Sequence, residues 1–250
     1  MAATYSALSS VIRNDHELMV TAETYILERV PGLSEEALRE IKLEAARNQL
    51  NVPMMSGLEA VESEAARWHV VSSGCPGIDQ LLQYRGFATG TITEFAGMSA
   101  TGKTQLAFFS ILTSLCLVPQ STALFVDSNC SFSIERIKTL FEKSDRFHAA
   151  REQGMTAEHI LSRLKVSHCY DAHQLLDLLT SLQWSLYNQT GEFEGQLKFL
   201  IIDSVGSLLA PVVGLPGQQA FLSSVGVVLD AISSYGIPVV VCAFEISLSC

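Results

Sequence analysis

The sequence predicts an α/β protein, with a mainly parallel sheet covered by helices and a small helical N-terminal domain ahead of it. Three observations predict it. Short apolar runs alternate with helical segments from about residue 68 onward. Most of these runs are apolar at successive positions, as strands buried on both faces are. A glycine-rich turn of the form G-x-x-x-x-G-K-T lies between one such run and a helix. With 250 residues, 48% of them hydrophobic and 17% charged, the chain can bury one large domain and a small appendage, and its composition is not that of a disordered chain.

Residues 1–50 read as helical and acidic. Pro31-Gly32 makes a turn, Ser34 caps the helix that follows, and Glu35 and Glu36 complement its dipole. Leu38, Ile41 and Ala45 then recur at helical spacing. Residues 51–67, with Pro53, Met54, Met55, Ser56 and Gly57, read as a linker. The core occupies residues 68–250. Its strands are expected at Thr91–Ala96, Ala123–Asp127, Leu164–His168, Phe199–Asp203 and Ile237–Phe244. Helices are expected at Gln105–Leu117, Ser133–Phe141, Ala172–Tyr187 and Gln218–Tyr235.

Composition excludes several function classes. The net charge of −10 leaves no bulk basic surface, so any nucleic-acid contact has to be local. The longest apolar stretch, Ile237–Phe244, is far short of the roughly 18–20 residues of a bilayer span, so no membrane role is expected. Residues 1–20 lack a basic segment followed by an apolar block, so no signal peptide is expected. Cys75, Cys116, Cys130, Cys169, Cys242 and Cys250 form no C-x-x-C pair and read as reduced thiols. His168, Asp171 and His173 cluster in sequence, but they read as ordinary loop and helix residues because a zinc site needs more ligands at compatible spacing.

The chemistry concentrates at Gly97-Met98-Ser99-Ala100-Thr101-Gly102-Lys103-Thr104. Its glycines let the backbone wrap phosphate oxygens, and successive N–H groups with the helix N-terminus supply partial positive charge. Lys103 is the candidate contact for β- and γ-phosphates, and the Thr104 hydroxyl for Mg²⁺. Phe199–Asp203 is an apolar run ending in a carboxylate, the form of a strand whose Asp203 holds a metal hydration shell. The cofactors expected are therefore ATP and Mg²⁺. These residues alone also allow a small-molecule kinase, although Lys143–Arg163 lacks the paired-arginine pattern of a kinase lid.

A longer pattern surrounds the motifs. Ser73-Gly74-Cys75-Pro76-Gly77-Ile78-Asp79-Gln80-Leu81-Leu82 leads into Gly90-Thr91-Ile92-Thr93-Glu94 and then Gly102-Lys103-Thr104-Gln105. With Val126-Asp127-Ser128-Asn129, His168–Asp177 and Ile202-Asp203-Ser204-Val205, this resembles the core of the eukaryotic RecA-type recombinases and their paralogues over roughly residues 25–245. The His168–Asp177 and Ile202–Val205 strings, together with Pro31–Glu36, are most similar to the D-type paralogue. The resemblance implies a RecA-type P-loop NTPase core, with Gly97 to Gln105 as the nucleotide-binding stretch. It also implies a nuclear role in homologous-recombination repair of double-strand breaks and stalled forks. There the chain would be a subunit of a heteromeric paralogue complex that assists the main strand-exchange recombinase, with single-stranded or branched DNA as a further partner.

The sequence departs from the family pattern in four places. Asn129 stands where the resemblance implies a general-base Glu, and an amide cannot take a proton as a carboxylate does. Cys242-Ala243-Phe244, followed by Glu245, replaces a Thr-Asn-Gln-like string implied to sense the γ-phosphate. From Phe199 to Cys250 there is no Lys or Arg to neutralise DNA phosphates. The chain ends soon after the fifth core strand, earlier than the family pattern, which reads as a truncated core with a sheet edge exposed at that strand. At most a weak, DNA-dependent ATPase is expected.

Overall fold

The structure, a computed structural model, describes residues 18, 23–50, 56–188 and 191–244. It divides into two compact units, Met1–Glu62 and Ser63–Cys250. In the first, helix α1 (Glu23–Arg29) and helix α2 (Glu35–Leu50) bury Leu18, Ile26, Val30, Leu33 and Leu38 as a small core. The Ser34 hydroxyl accepts the Ala37 N–H at 3.1 Å, the cap that the sequence suggests.

The stretch expected to be a linker differs. Residues 51–55 lie outside the described residues, but Gly57–Arg67 is a helix, α3. A reciprocal pair of hydrogen bonds starts it. The Ser56 N–H donates to Glu59 Oε2 at 2.6 Å, and the Ser56 hydroxyl accepts the Glu59 N–H at 3.2 Å. This is a capping box, and the backbone hydrogen bond from Ser56 is the main reason the Glu59 carboxyl sits below its ordinary pKa.

In the second unit, strand β1 (Val70–Val71) pairs antiparallel with β2 (Phe87–Ala88) across helix α4 (Pro76–Leu81). The five remaining strands form one sheet: β3 (Ile92–Gly97), β4 (Thr122–Asp127), β5 (Leu164–His168), β6 (Leu197–Asp203) and β7 (Val239–Phe244). Their order is β3-β7-β6-β4-β5, and every pairing is parallel. Between them run α5 (Lys103–Leu117), α6 (Ile134–Lys143), α7 (His148–Glu152), α8 (Ala157–Ser162), α9 (Ala172–Asn188), α10 (Glu192–Gly195), α11 (Val205–Leu209) and α12 (Gln218–Ser234).

Alternate residues of the central strands feed two cores. Ala123, Phe125, Phe199, Ile201 and Val240 pack on one side with Phe108, Ile111, Leu115 and Phe141. Leu124, Val126, Leu200, Ile202 and Val239 pack on the other with Leu175, Leu179, Leu229 and Ile232. Period-2 geometry therefore explains why these strands are apolar throughout. Each of the large side chains contributes about 1.5–3 kcal/mol by leaving water.

The expected exposed edge is corrected. The fifth core strand, β7, is interior, with β3 on one side and β6 on the other. Among the described residues the open edges belong to β3 and β5, because the chain returns between β3 and β6 when it forms β7. The apolar run Val239–Cys242, fully or nearly fully buried, suits that central place.

Candidate functional site

All five parallel strands end on one rim, where the carboxyl ends of strands leave a crevice and loops supply ligand-binding groups. The loop after β3 carries the glycine-rich motif. Gly102 caps α5 at φ 96°, a left-handed conformation that costs little only for glycine. At Gly97 a Cβ would lie 3.2 Å from Thr101 Oγ1, so a side chain there would crowd the turn. Met98, Ser99, Ala100, Thr101 and Gly102 are exposed at the tip. The Thr101 hydroxyl donates to the Met98 carbonyl at 2.9 Å.

Lys103 Nζ donates to the Gly97 and Met98 carbonyls at 2.7 and 2.8 Å, so the ammonium lies at the mouth of the loop. Thr104 faces the other way. Its hydroxyl donates to Asp203 Oδ2 at 2.5 Å, joining residues 99 positions apart. Asp203 is buried at the end of β6, opposite Cys242 in the register of β7. Burial pushes the Cys242 thiol pKa up, the Asp203 charge adds to this, and Lys103 opposes it. Gln105, next along α5, accepts a hydrogen bond from Arg136 Nε at 2.7 Å. An open concavity of about 610 Å³ beside the loop is lined by Glu94, Thr101, Lys103, Gln105, Cys75 and Phe109.

Asp127 and Asn129 follow β4. Asp127 is buried, and its carboxylate accepts the N–H groups of Asn129, Ser131 and Phe132 at 3.0–3.1 Å and the Ser131 hydroxyl at 3.3 Å. His168 Nδ1 lies 3.6 Å from it. Asp127 therefore closes the turn after β4, in register with Asp203 at the end of β6. Asn129 is exposed, and its side-chain Nδ2 donates to Ser204 Oγ at 3.4 Å. Phe244 is described only through its backbone, which pairs with Gly97. Glu245 lies outside the described residues.

The structure thus places Gly97–Gln105, Asp203 and Asn129 along one rim, with the Asp127 carboxylate occupied by the turn after β4. Sequence reasoning missed Arg136, whose signal was its place in the first turn of a helix starting just after β4. It also missed Ser128, Ser204 and Ser207, which form a hydroxyl cluster beside Asn129. Among the described residues no three His, Cys, Asp or Glu side chains gather as a metal cluster. No helix among them is long and apolar enough to cross a membrane.

The donor set fits phosphate and Mg²⁺. A backbone-lined loop with one ammonium at its mouth suits phosphate oxygens. Two adjacent hard oxygens, from Thr104 and Asp203, suit an ion that takes few protein ligands and keeps several waters.

Comparison with known proteins gives the family. The Rad51 family model matches residues 66–214, which hold the loop, Thr104, Asn129 and Asp203. A probable DNA repair protein RAD51 homolog 4 of Dictyostelium discoideum is 30% identical over 233 residues, covering 81% of this chain and 64% of that protein. The DNA repair protein RAD51 homolog 4 of Bos taurus is 30% identical over 188 residues, 75% of this chain and 54% of its own. The DNA repair protein XRCC2 of Mus musculus is 33% identical over 124 residues, 47% of this chain and 41% of its own. The chain therefore spans about half to two thirds of the length of the RAD51 homolog 4 proteins it matches. With the match covering more than half of its residues, and the phosphate loop, Thr104 and Asp203 placed as described, the chain belongs to the Rad51 family.

Proposed function

We propose that this chain is a nucleotide-binding recombinase paralogue of the D-type branch, acting in the nucleus as one subunit of a heteromeric complex for homologous-recombination repair. In that complex it assists a strand-exchange recombinase. The observation that carries the nucleotide part is the Thr104–Asp203 hydrogen bond at the foot of the phosphate loop. It sets the two oxygens expected at Mg²⁺ side by side. Gly97–Thr104 would wrap the phosphates, Lys103 would turn from the Gly97 and Met98 carbonyls to the β- and γ-phosphates, and Gln105 would flank them. Thr104 would bind the ion directly and Asp203 through its water shell. The metal supplies charge neutralisation of the phosphates when bound.

Slow turnover belongs to the same reading. Asn129 offers hydrogen bonds but no basic carboxylate, so water activation lacks its proton acceptor. The repair role rests on the names of the relatives, the RAD51 homolog 4 proteins and XRCC2. Assembly with other paralogue subunits, and contact with single-stranded or branched DNA, rest on the family resemblance. Titration of a labelled ATP analogue with Mg²⁺ tests the site. Lys103→Ala is expected to weaken binding at least about tenfold, because a charged phosphate contact is lost. Equal affinity of the two proteins would refute it. Co-purification of paralogue subunits with the tagged chain from nuclear extract tests the assembly.

A further inference from the structure

Cys242 begins the string that replaces a polar one at the end of the fifth core strand, and the nucleotide reading gives it no part. In the parallel ladder it is in register with Asp203 on β6 and with Phe95 on β3. Side chains alternate along a strand, and neighbouring strands lie about 4.8 Å apart. Asp203 therefore shares a face with Phe199 and Ile201, and Cys242 shares one with Val240. Those three apolar residues pack with Phe108 and Ile111 of α5, the helix that carries Thr104. On this face the Cys242 thiol and the Asp203 side chain are hydrogen-bonded. Cys242 is fully buried and Asp203 nearly so, which leaves water little access to the contact. A thiol is ordinarily protonated and an ionised carboxylate only accepts, so the S–H is the donor. Among the described residues Thr104 supplies the other side-chain hydrogen bond, to Oδ2. The carboxylate is thus held by a hydroxyl from α5 and a thiol from β7.

We infer that Cys242 is a positioning residue of the metal site, its thiol fixing the Asp203 carboxylate in the orientation that receives the water shell of Mg²⁺ at a bound nucleotide. The inference rests on the nucleotide reading above. Cys242 acts through Asp203 and not as a metal ligand, because Mg²⁺ is a hard ion that takes oxygen and a neutral thiol is a soft, poor partner for it. Hydrogen bonds behind a metal ligand fix its orientation, and losing one typically costs about 10–100-fold in metal affinity. The S–H is a weak donor, which puts the expected effect at the lower end of that range.

Binding of a labelled ATP analogue to the full chain is to be titrated with Mg²⁺ and measured again in EDTA. Two variants remove the donor, Cys242→Ala and Cys242→Val, and the second fills the space that the first leaves. Both are expected to need about tenfold more Mg²⁺ for half-maximal binding. Their nucleotide affinity in EDTA is expected to be unchanged, which also shows that they are folded. Cys242→Ser, which keeps a donor, is expected to restore the wild-type Mg²⁺ requirement. An unchanged Mg²⁺ requirement in either donor-free variant, or no rescue by Cys242→Ser, overturns the inference and leaves the nucleotide reading standing. A parallel loss of affinity in EDTA does the same, since a packing defect would weaken binding with and without metal. Wild type and Lys103→Ala binding nucleotide equally overturns both.

Discussion

Two residues apart, Asp127 and Asn129 occupy opposite environments. The Asp127 side chain is buried and accepts three backbone N–H groups and one hydroxyl, so the turn after β4 closes around it. Its replacement by Asn puts an NH₂ where acceptors are needed and leaves a buried N–H unpaired. Asp127→Asn is therefore expected to cost about 1–3 kcal/mol, read as a lower urea midpoint. An unchanged midpoint would contradict this account of the turn. Much of the site was legible at this scale. The loop residues and Asp203 carry their chemistry in residue type and spacing. Two of the three hydroxyls around Asn129 were not legible. Ser204 and Ser207 are 75 or more residues away in sequence, and only the parallel pairing of β4 with β6 brings them near.

Among the elements, the sheet strands and the long core helices were readable, whereas the β1–β2 pair and the helix in the expected linker were not. The five sheet strands and the helices α5, α6, α9 and α12 fall within a few residues of their apolar periodicity. The β1–β2 pair holds two residues on each side, too few for any period, and its position depends on tertiary pairing. Helix α3 was hidden by Pro53 and Gly57, although Ser56 and Glu59 stand at the spacing of a capping box. The end of α5 shows a dependence that no local pattern encodes. The buried Arg163 donates to the Leu115 carbonyl at 2.7 Å and to the Ser121 carbonyl at 3.3 Å, satisfying carbonyls at and beyond the helix C-terminus. α5 presents Lys103 and Thr104 at its other end, so this anchor supports the site from a distance. Arg163→Met keeps the apolar stem and removes the donors. It is expected to destabilise the core by about 2–4 kcal/mol, measured by chemical unfolding, since buried carbonyls are left unpaired. A loss below about 0.5 kcal/mol would show that water replaces the guanidinium at no cost.

At the scale of the molecule, charge decides what the chain does with DNA. DNA affinity comes mainly from neutralised phosphates, and each neutralised phosphate releases a counterion. Here the net charge is −10, and no Lys or Arg follows Lys198. The segment after β6, from Val205 through the start of α12, therefore offers phosphate only backbone N–H groups and neutral side chains such as Gln218 and Gln219. Gln218 is already engaged, its side-chain oxygen accepting the Gly214 N–H. The open edge of β3 exposes Ile92 and Glu94 and carries no lysine to discourage strand pairing, whereas β5 carries Lys165. Both features accord with the partner-subunit role proposed above. The isolated chain is expected to bind single-stranded DNA no tighter than about 10⁻⁶ M at physiological salt, with a shallow dependence on salt because few phosphates are neutralised. Fluorescence anisotropy with a labelled oligonucleotide, repeated across a salt series, measures both quantities. Nanomolar binding by the monomeric chain, or a salt slope indicating many phosphate contacts, would mean that a cationic surface forms elsewhere on the fold. The partner-subunit role would then lose its physical basis.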